Sequence, residues 1–166
     1  MFNSGILTIS DKGWQGERYD ESGKAIRDSL SQLHSHVVKY EVVPDEVGVI
    51  ASKLVEWADG GSLDVILTTG GTGLGPRDVT PEATLSILDR VVPGFAEAMR
   101  AETFSITPFA ILSRAVAGVR GKCLIINLPG SPKAVQECLQ VILPAIPHAV
   151  EIIKGEVTEH KDTGRD

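Results

Sequence analysis

Two aspartates, Asp45 and Asp78, and two turns of small residues, 69–76 and 129–131, are the parts of this sequence best equipped for chemistry. In Gly70-Gly71-Thr72-Gly73 the missing side chains let backbone amides approach an anion, and the threonine adds a hydroxyl donor. The segment therefore reads either as a phosphate cradle or as a tight turn only. It is neither the nucleotide P-loop, since no Gly-Lys-Ser/Thr ends it, nor the GxGxxG dinucleotide fingerprint. Gly130-Ser131-Pro132 reads as a helix cap followed by a first-turn proline, and a phosphate can bind at such a helix N-terminus. Asp45 stands just before a helical pattern, where an N-cap role would suffice, and Thr80-Pro81-Glu82 reads as a cap, a proline and a carboxylate suited to the helix dipole. Asp78 lies between the glycine turn and that cap and duplicates neither role.

His34, His36, His148 and His160 fall in expected helix ends or in the tail and show neither zinc nor triad spacing. A serine nucleophile would lack its base, and no redox-cofactor fingerprint is present. Cys123 and Cys138 have no CxxC spacing and read as reduced core residues. What remains, carboxylates and phosphate-cradling amides, suits metal-assisted phosphoryl or nucleotidyl transfer, which depends on positioning and charge neutralisation more than on a covalent nucleophile.

The elements that must position these groups follow from the apolar periodicity. Residues 5–10 read as a buried strand, 21–33 as a helix through Ile26, Leu30 and Leu33, and Val37-Val38 with Val42-Val43 as a second strand ended by Pro44. A cleaner helical period covers 46–58, where Val47, Ile50, Ala51, Leu54, Val55 and Ala58 share one face. A third strand, 64–68, runs into the glycine turn and then into a helix opened by residues 77–82. A helical stretch at 94–104 precedes Ala115-Val116-Ala117, a turn at Arg120-Gly121 and the apolar strand 123–127, which together suggest a hairpin. The last helix starts after Pro129-Gly130-Ser131 and is bent or divided by Pro144 and Pro147.

Alternating strands and helices imply an α/β fold, a three-layer α/β/α sandwich with a mostly parallel sheet. Such sheets bind ligands beyond the carboxyl ends of their strands, which is where Ser10-Asp11, Asp45, the glycine turn with Asp78, and Pro129-Gly130-Ser131 should converge. The 166 residues are enough for one domain with a real core, expected over 1–154, with 155–166 as a polar, flexible tail. No apolar run approaches the length of a bilayer span and the first residues lack a signal-peptide pattern, so neither a membrane nor secretion is expected. The net charge of −6 argues against a general nucleic-acid binder but leaves room for a phosphorylated small molecule met by amides, local cations or a metal.

Thr68-Thr69-Gly70-Gly71-Thr72-Gly73 followed by Arg77-Asp78-Val79-Thr80-Pro81-Glu82-Ala83 resembles the signature of the molybdopterin-binding family, which includes bacterial molybdopterin adenylyltransferase (MogA), its relative MoaB and the G domain of gephyrin. Ser10-Asp11, Pro44-Asp45-Glu46, Pro93-Gly94-Phe95, Leu112-Ser113-Arg114 and Asn127-Leu128-Pro129-Gly130-Ser131-Pro132-Lys133 resemble further family motifs in family order, so the likeness spans about residues 5 to 153. It implies a cytoplasmic homotrimer, or a hexamer of two trimers, that adenylylates molybdopterin with Mg²⁺ and ATP, releases pyrophosphate and works beside a molybdenum-insertion enzyme. The likeness matches Asp45 and Asp78 to the family's active carboxylates, which would position Mg²⁺. It matches Thr69, Gly70, Gly71, Thr72 and Gly73 to the nucleotide phosphates, and Ser10, Asp11, Pro129, Gly130, Ser131 and Lys133 to molybdopterin. Two other classes stay open: a molybdopterin-holding assembly protein of the MoaB type without turnover, and a nucleotide pyrophosphatase of related fold.

Overall fold

In the computed structural model, residues 1–156 are described, so the expected tail lies outside them except for its first two residues. Strands β1 (Phe2–Ile9), β2 (Ser35–Val43), β3 (Val65–Thr69), β4 (Arg90–Val91), β5 (Ala117–Arg120) and β6 (Cys123–Leu128) form one sheet in the order β2-β1-β3-β6-β5-β4. The first four in that order are parallel, while at one edge β5 pairs antiparallel with β6 and β4 antiparallel with β5. The expected hairpin is the β5–β6 pair, with Arg120 opposite Cys123.

Strand β3 shows why the sheet has two covered faces. Val65 and Leu67 belong to a core shared with α2 (Glu21–Leu30), α5 (Pro93–Phe104), α6 (Pro132–Ile142) and α7 (Ile146–Lys154). Ile66, one step out of phase, belongs to a second core with α3 (Val47–Asp59) and α4 (Thr80–Leu85). The result is the expected three-layer sandwich with a mostly parallel sheet. Pro144 and Pro147 do divide the last helix: a 3₁₀ turn at Leu143–Ala145 separates α6 from α7. Cys123 and Cys138 are free and buried, and burial pushes their thiols up to about 12 and about 11.

Several local expectations are corrected. A one-turn helix, α1 (Asp11–Trp14), not anticipated from the apolar period, follows β1, because the Ser10 side chain accepts from the Gly13 amide. Helix α2 ends at Leu30; Leu33 packs against the core from the turn that follows. Asp45 is not the cap of α3, since Glu46 takes that position without a side-chain hydrogen bond. Thr80 is not a cap either, because it is already inside α4 and its hydroxyl turns back to the Gly70 carbonyl. His36 lies in β2, not at a helix end.

Candidate functional site

The carboxyl ends of β1, β2, β3 and β6 deliver residues 10–22, 44–46, 70–78 and 129–132 to one rim, as the parallel pairing requires. Two cavities open there. One, of about 540 Å³, is the more polar of the two and is bounded by Ser10, Arg18, Asp20, Asp45, Thr69 and Gly70. The other, of about 400 Å³, has Thr72, Gly73 and Pro129 at one end and Met99, Phe109 and Leu112 as apolar walls. Gly71, Asp78, Gly130 and Ser131 line both, so the cavities meet at these four residues.

The glycine turn is held from its back and open at its front. Gly70 and Gly71 have φ of 96° and 68°, and a β-carbon would overlap the Ile9 carbonyl at the first and the Thr80 hydroxyl at the second. Glycine is therefore required by shape at both. The Gly70 amide donates to Leu128 O at 3.3 Å, the Thr80 hydroxyl to Gly70 O at 2.9 Å, and the Thr80 amide to Gly71 O at 3.1 Å. Thr69 donates its hydroxyl to Pro129 O at 2.6 Å, which ties this turn to the next one. Among the described residues the amides of Gly71, Thr72 and Gly73 have no acceptor, leaving a run of donors suited to an anion.

Asp45 and Asp11 clasp each other's backbone: the Asp11 amide donates to Asp45 Oδ2 at 2.8 Å, and the Asp45 amide to Asp11 Oδ1 at 3.0 Å. Arg77 closes on Asp11 with two hydrogen bonds of 3.0 Å, and its guanidinium, helped by the Asp45 amide, holds the Asp11 carboxyl below the usual range. Asp45 goes the other way. Burial pushes its carboxyl up, the charges of Asp11 and Asp78 add to that, and the Asp11 amide and Arg77 only partly oppose it. Asp78 Oδ2 accepts from the Gly75 amide at 2.8 Å. Among the described residues, the second oxygen of both Asp45 and Asp78 has no hydrogen-bond partner.

No cluster of three His, Cys, Asp or Glu side chains suited to a metal occurs among the described residues. Mg²⁺ does not need one, since it is commonly held by one or two carboxylates together with substrate phosphates and water. Two carboxylates on one cavity, each with a free oxygen and one disfavoured as an anion by burial and then by nearby carboxylates, fit such an ion.

Of the remaining expected residues, Ser10 lines the polar cavity while capping α1. Ser131 caps α6 through the Ala134 amide at 3.2 Å and faces both cavities. Asp11 and Lys133 line neither cavity: Asp11 is engaged by Arg77 and Asp45, and Lys133 is exposed, with Glu137 at 3.8 Å. Other polar residues at the rim had no assigned role. Asp20 accepts from Thr8 at 2.5 Å, Tyr40 at 2.6 Å and the Gly23 amide at 2.9 Å, fixing the entry to α2. Ser22 donates to Gly130 O at 2.7 Å. The placement of an Asp three residues before Gly23 at a helix start was a legible sign of the first; nothing local announces the second.

A family model described as "Probable molybdopterin binding domain" matches residues 5–148. The molybdopterin adenylyltransferase of Helicobacter pylori strain J99 is 46% identical over 91% of this chain and 87% of its own length. That of Escherichia coli K12 is 37% identical over 93% and 87%. The crystal structure of the molybdopterin biosynthesis enzyme MoaB from Thermus thermophilus superposes with a TM-score of 0.89 at 56% identity, covering 93% of this chain and 98% of that one.

Proposed function

We propose, for a chain that belongs to the molybdopterin-binding domain family, that it is a molybdopterin adenylyltransferase acting in molybdenum-cofactor biosynthesis with Mg·ATP. The carrying observation is the meeting of two cavities at Gly71, Asp78, Gly130 and Ser131. Two phosphorylated substrates seated in the two cavities bring their phosphates together at that junction. A terminal phosphate oxygen of molybdopterin attacks the α-phosphorus of ATP, the bond to the β-phosphate oxygen breaks, and pyrophosphate leaves with the electron pair.

The attacking oxygen is already anionic near neutral pH, so no strong base is required, in keeping with cavities that no histidine lines among the described residues. The free amides of Gly71, Thr72 and Gly73 are placed to stabilise charge on the reacting phosphates. Asp45 and Asp78 would hold Mg²⁺, which draws charge from the triphosphate when bound. Orientation of two bound reactants supplies the rest. The product would pass to a molybdenum-insertion enzyme, and a cytoplasmic setting belongs to the same reading.

The experiment is incubation of purified protein with molybdopterin and α-labelled Mg·ATP, followed by separation of adenylyl-molybdopterin and pyrophosphate. Labelled pterin together with pyrophosphate is expected. Binding of molybdopterin without turnover would replace this reading with that of an assembly protein, and hydrolysis of a dinucleotide without pterin would replace it with that of a pyrophosphatase.

A further inference from the structure

We propose that Arg114 is the positioning residue that aims Asp78 into the junction of the two cavities, an inference resting on the adenylyltransferase reading above. Between Thr72 and Val79 the chain forms no helix or strand, and Leu74 at its tip is 66% exposed. Arg114 closes the mouth of this excursion. Its Nε donates to Gly73 O at 2.8 Å and its Nη2 to Asp78 O at 2.7 Å, so one planar group holds both ends of the 73–78 loop. Its own backbone amide donates to Thr72 O at 2.9 Å, and Nη1 is paired with the Glu82 carboxylate on α4.

Within the loop, the Asp78 amide donates to Gly75 O at 3.0 Å and the Gly75 amide to Asp78 Oδ2 at 2.8 Å. These two bonds shape the loop but do not fasten it to the domain; Arg77, bonded to Asp11, ties down its outer part, and the Arg114 guanidinium holds the two carbonyls at its base, one of them that of Asp78 itself. Arg114 lines neither cavity, so it acts through Asp78 and does not touch substrate. Lysine cannot replace it, because a single ammonium has no fork to span two carbonyls and a carboxylate at once.

The test uses the full chain with Arg114→Lys, Asp78→Asn, the double variant and Glu82→Gln, assayed by labelled AMP transfer and by hydrogen–deuterium exchange. For Arg114→Lys we expect kcat to fall tenfold or more, KM for molybdopterin to stay within twofold, and exchange to quicken in residues 73–78 but not in β3 or β6. In the Asp78→Asn background the same change should cost less than a further twofold. Glu82→Gln keeps both carbonyl bonds and should leave loop exchange close to wild type, so exchange as fast as in Arg114→Lys would overturn the proposal; if Arg114→Lys does not fold, Arg114→Gln, too short to span both carbonyls, supplies the exchange test, and wild-type loop exchange in it would overturn the proposal. Unchanged kcat and exchange in Arg114→Lys would overturn it, as would full multiplication of its loss with that of Asp78→Asn. A wild-type protein that makes no adenylyl-molybdopterin would sink the functional reading instead, while exchange would still decide whether Arg114 fastens the loop.

Discussion

At the scale of single residues, Asp45 has a function and a stability that pull apart. Its carboxyl is raised, so the fold disfavours the anion; that cost is absent below the ordinary aspartate pKa and complete above the folded one. Asp45→Asn should therefore melt at a higher temperature than wild type at pH 7, with the gain vanishing as the pH falls through the folded pKa toward the ordinary value. Thermal melts between pH 4 and 7 check this, and a lower melting temperature at pH 7 would contradict it. AMP transfer should nevertheless drop on the order of a hundredfold in Asp45→Asn and in Asp78→Asn, equivalent to ~2.7 kcal/mol of transition-state stabilisation. Two glycines offer a contrasting pair. Gly70→Ala places a β-carbon on the Ile9 carbonyl at a φ of 96° and should cost roughly 2 kcal/mol or more. A β-carbon at Gly130 meets only Gly70 Cα, at 3.5 Å, so Gly130→Ala should leave stability within ~0.5 kcal/mol while weakening substrate binding at the junction it would enter. Denaturant titration and substrate KM separate the two.

At the scale of elements, most of what could be read from the sequence was carried by apolar period and by caps. The helical stripe through Ile50, Leu54 and Ala58 is buried as its spacing requires, and Ser131 caps α6 as Ser-Pro at a helix start suggests. What escaped depends on partners far along the chain. Asp45 looked like a cap because it precedes α3, but its carboxylate is taken by the Asp11 amide, a partner from another strand end. Thr80 looked like a cap for the same reason and instead buckles the glycine turn. The two-residue strand β4 carries too little pattern to see, being specified by its pairing with Val119 and Gly118. Asn127 carries no local sign of its role. It is fully buried in β6, where its Nδ2 donates at 3.0 Å to Thr68 on β3 and at 3.0 Å to Thr84 on α4, while its Oδ1 accepts from the Val116 amide at 3.3 Å. Asn127→Leu should cost about 3 kcal/mol by leaving these groups without partners, read as a shifted denaturation midpoint with an unchanged slope.

At the scale of the whole molecule, Phe104, Ile106, Phe109, Ile111 and Leu112 crowd one stretch of chain with exposures from 45% to 73%. Apolar surface gathered in this way commonly marks an interface, and heterologous contacts between copies can close into a ring. Light scattering should find a trimer, or a hexamer if the kinship with MoaB extends to assembly, and a Phe109→Glu, Ile111→Glu pair should shift the population toward monomer. A monomer throughout the micromolar range in the unaltered protein would count against both assemblies. Time enters through the hydrogen bond from Ser22 to Gly130, which joins residues 108 apart in the chain. Strand β6 lies at the centre of the sheet yet comes from the last third of the sequence, so during synthesis β3 must wait with one edge unpaired until it emerges. A nascent chain halted before residue 123 should be protease-sensitive and prone to clump, a hazard of exposed edges and late, long-range pairing. In refolding from denaturant, helical signal should return first and AMP transfer only with the slowest phase, because the junction of the two cavities cannot exist before the chain's latest strand has been seated between its earlier neighbours.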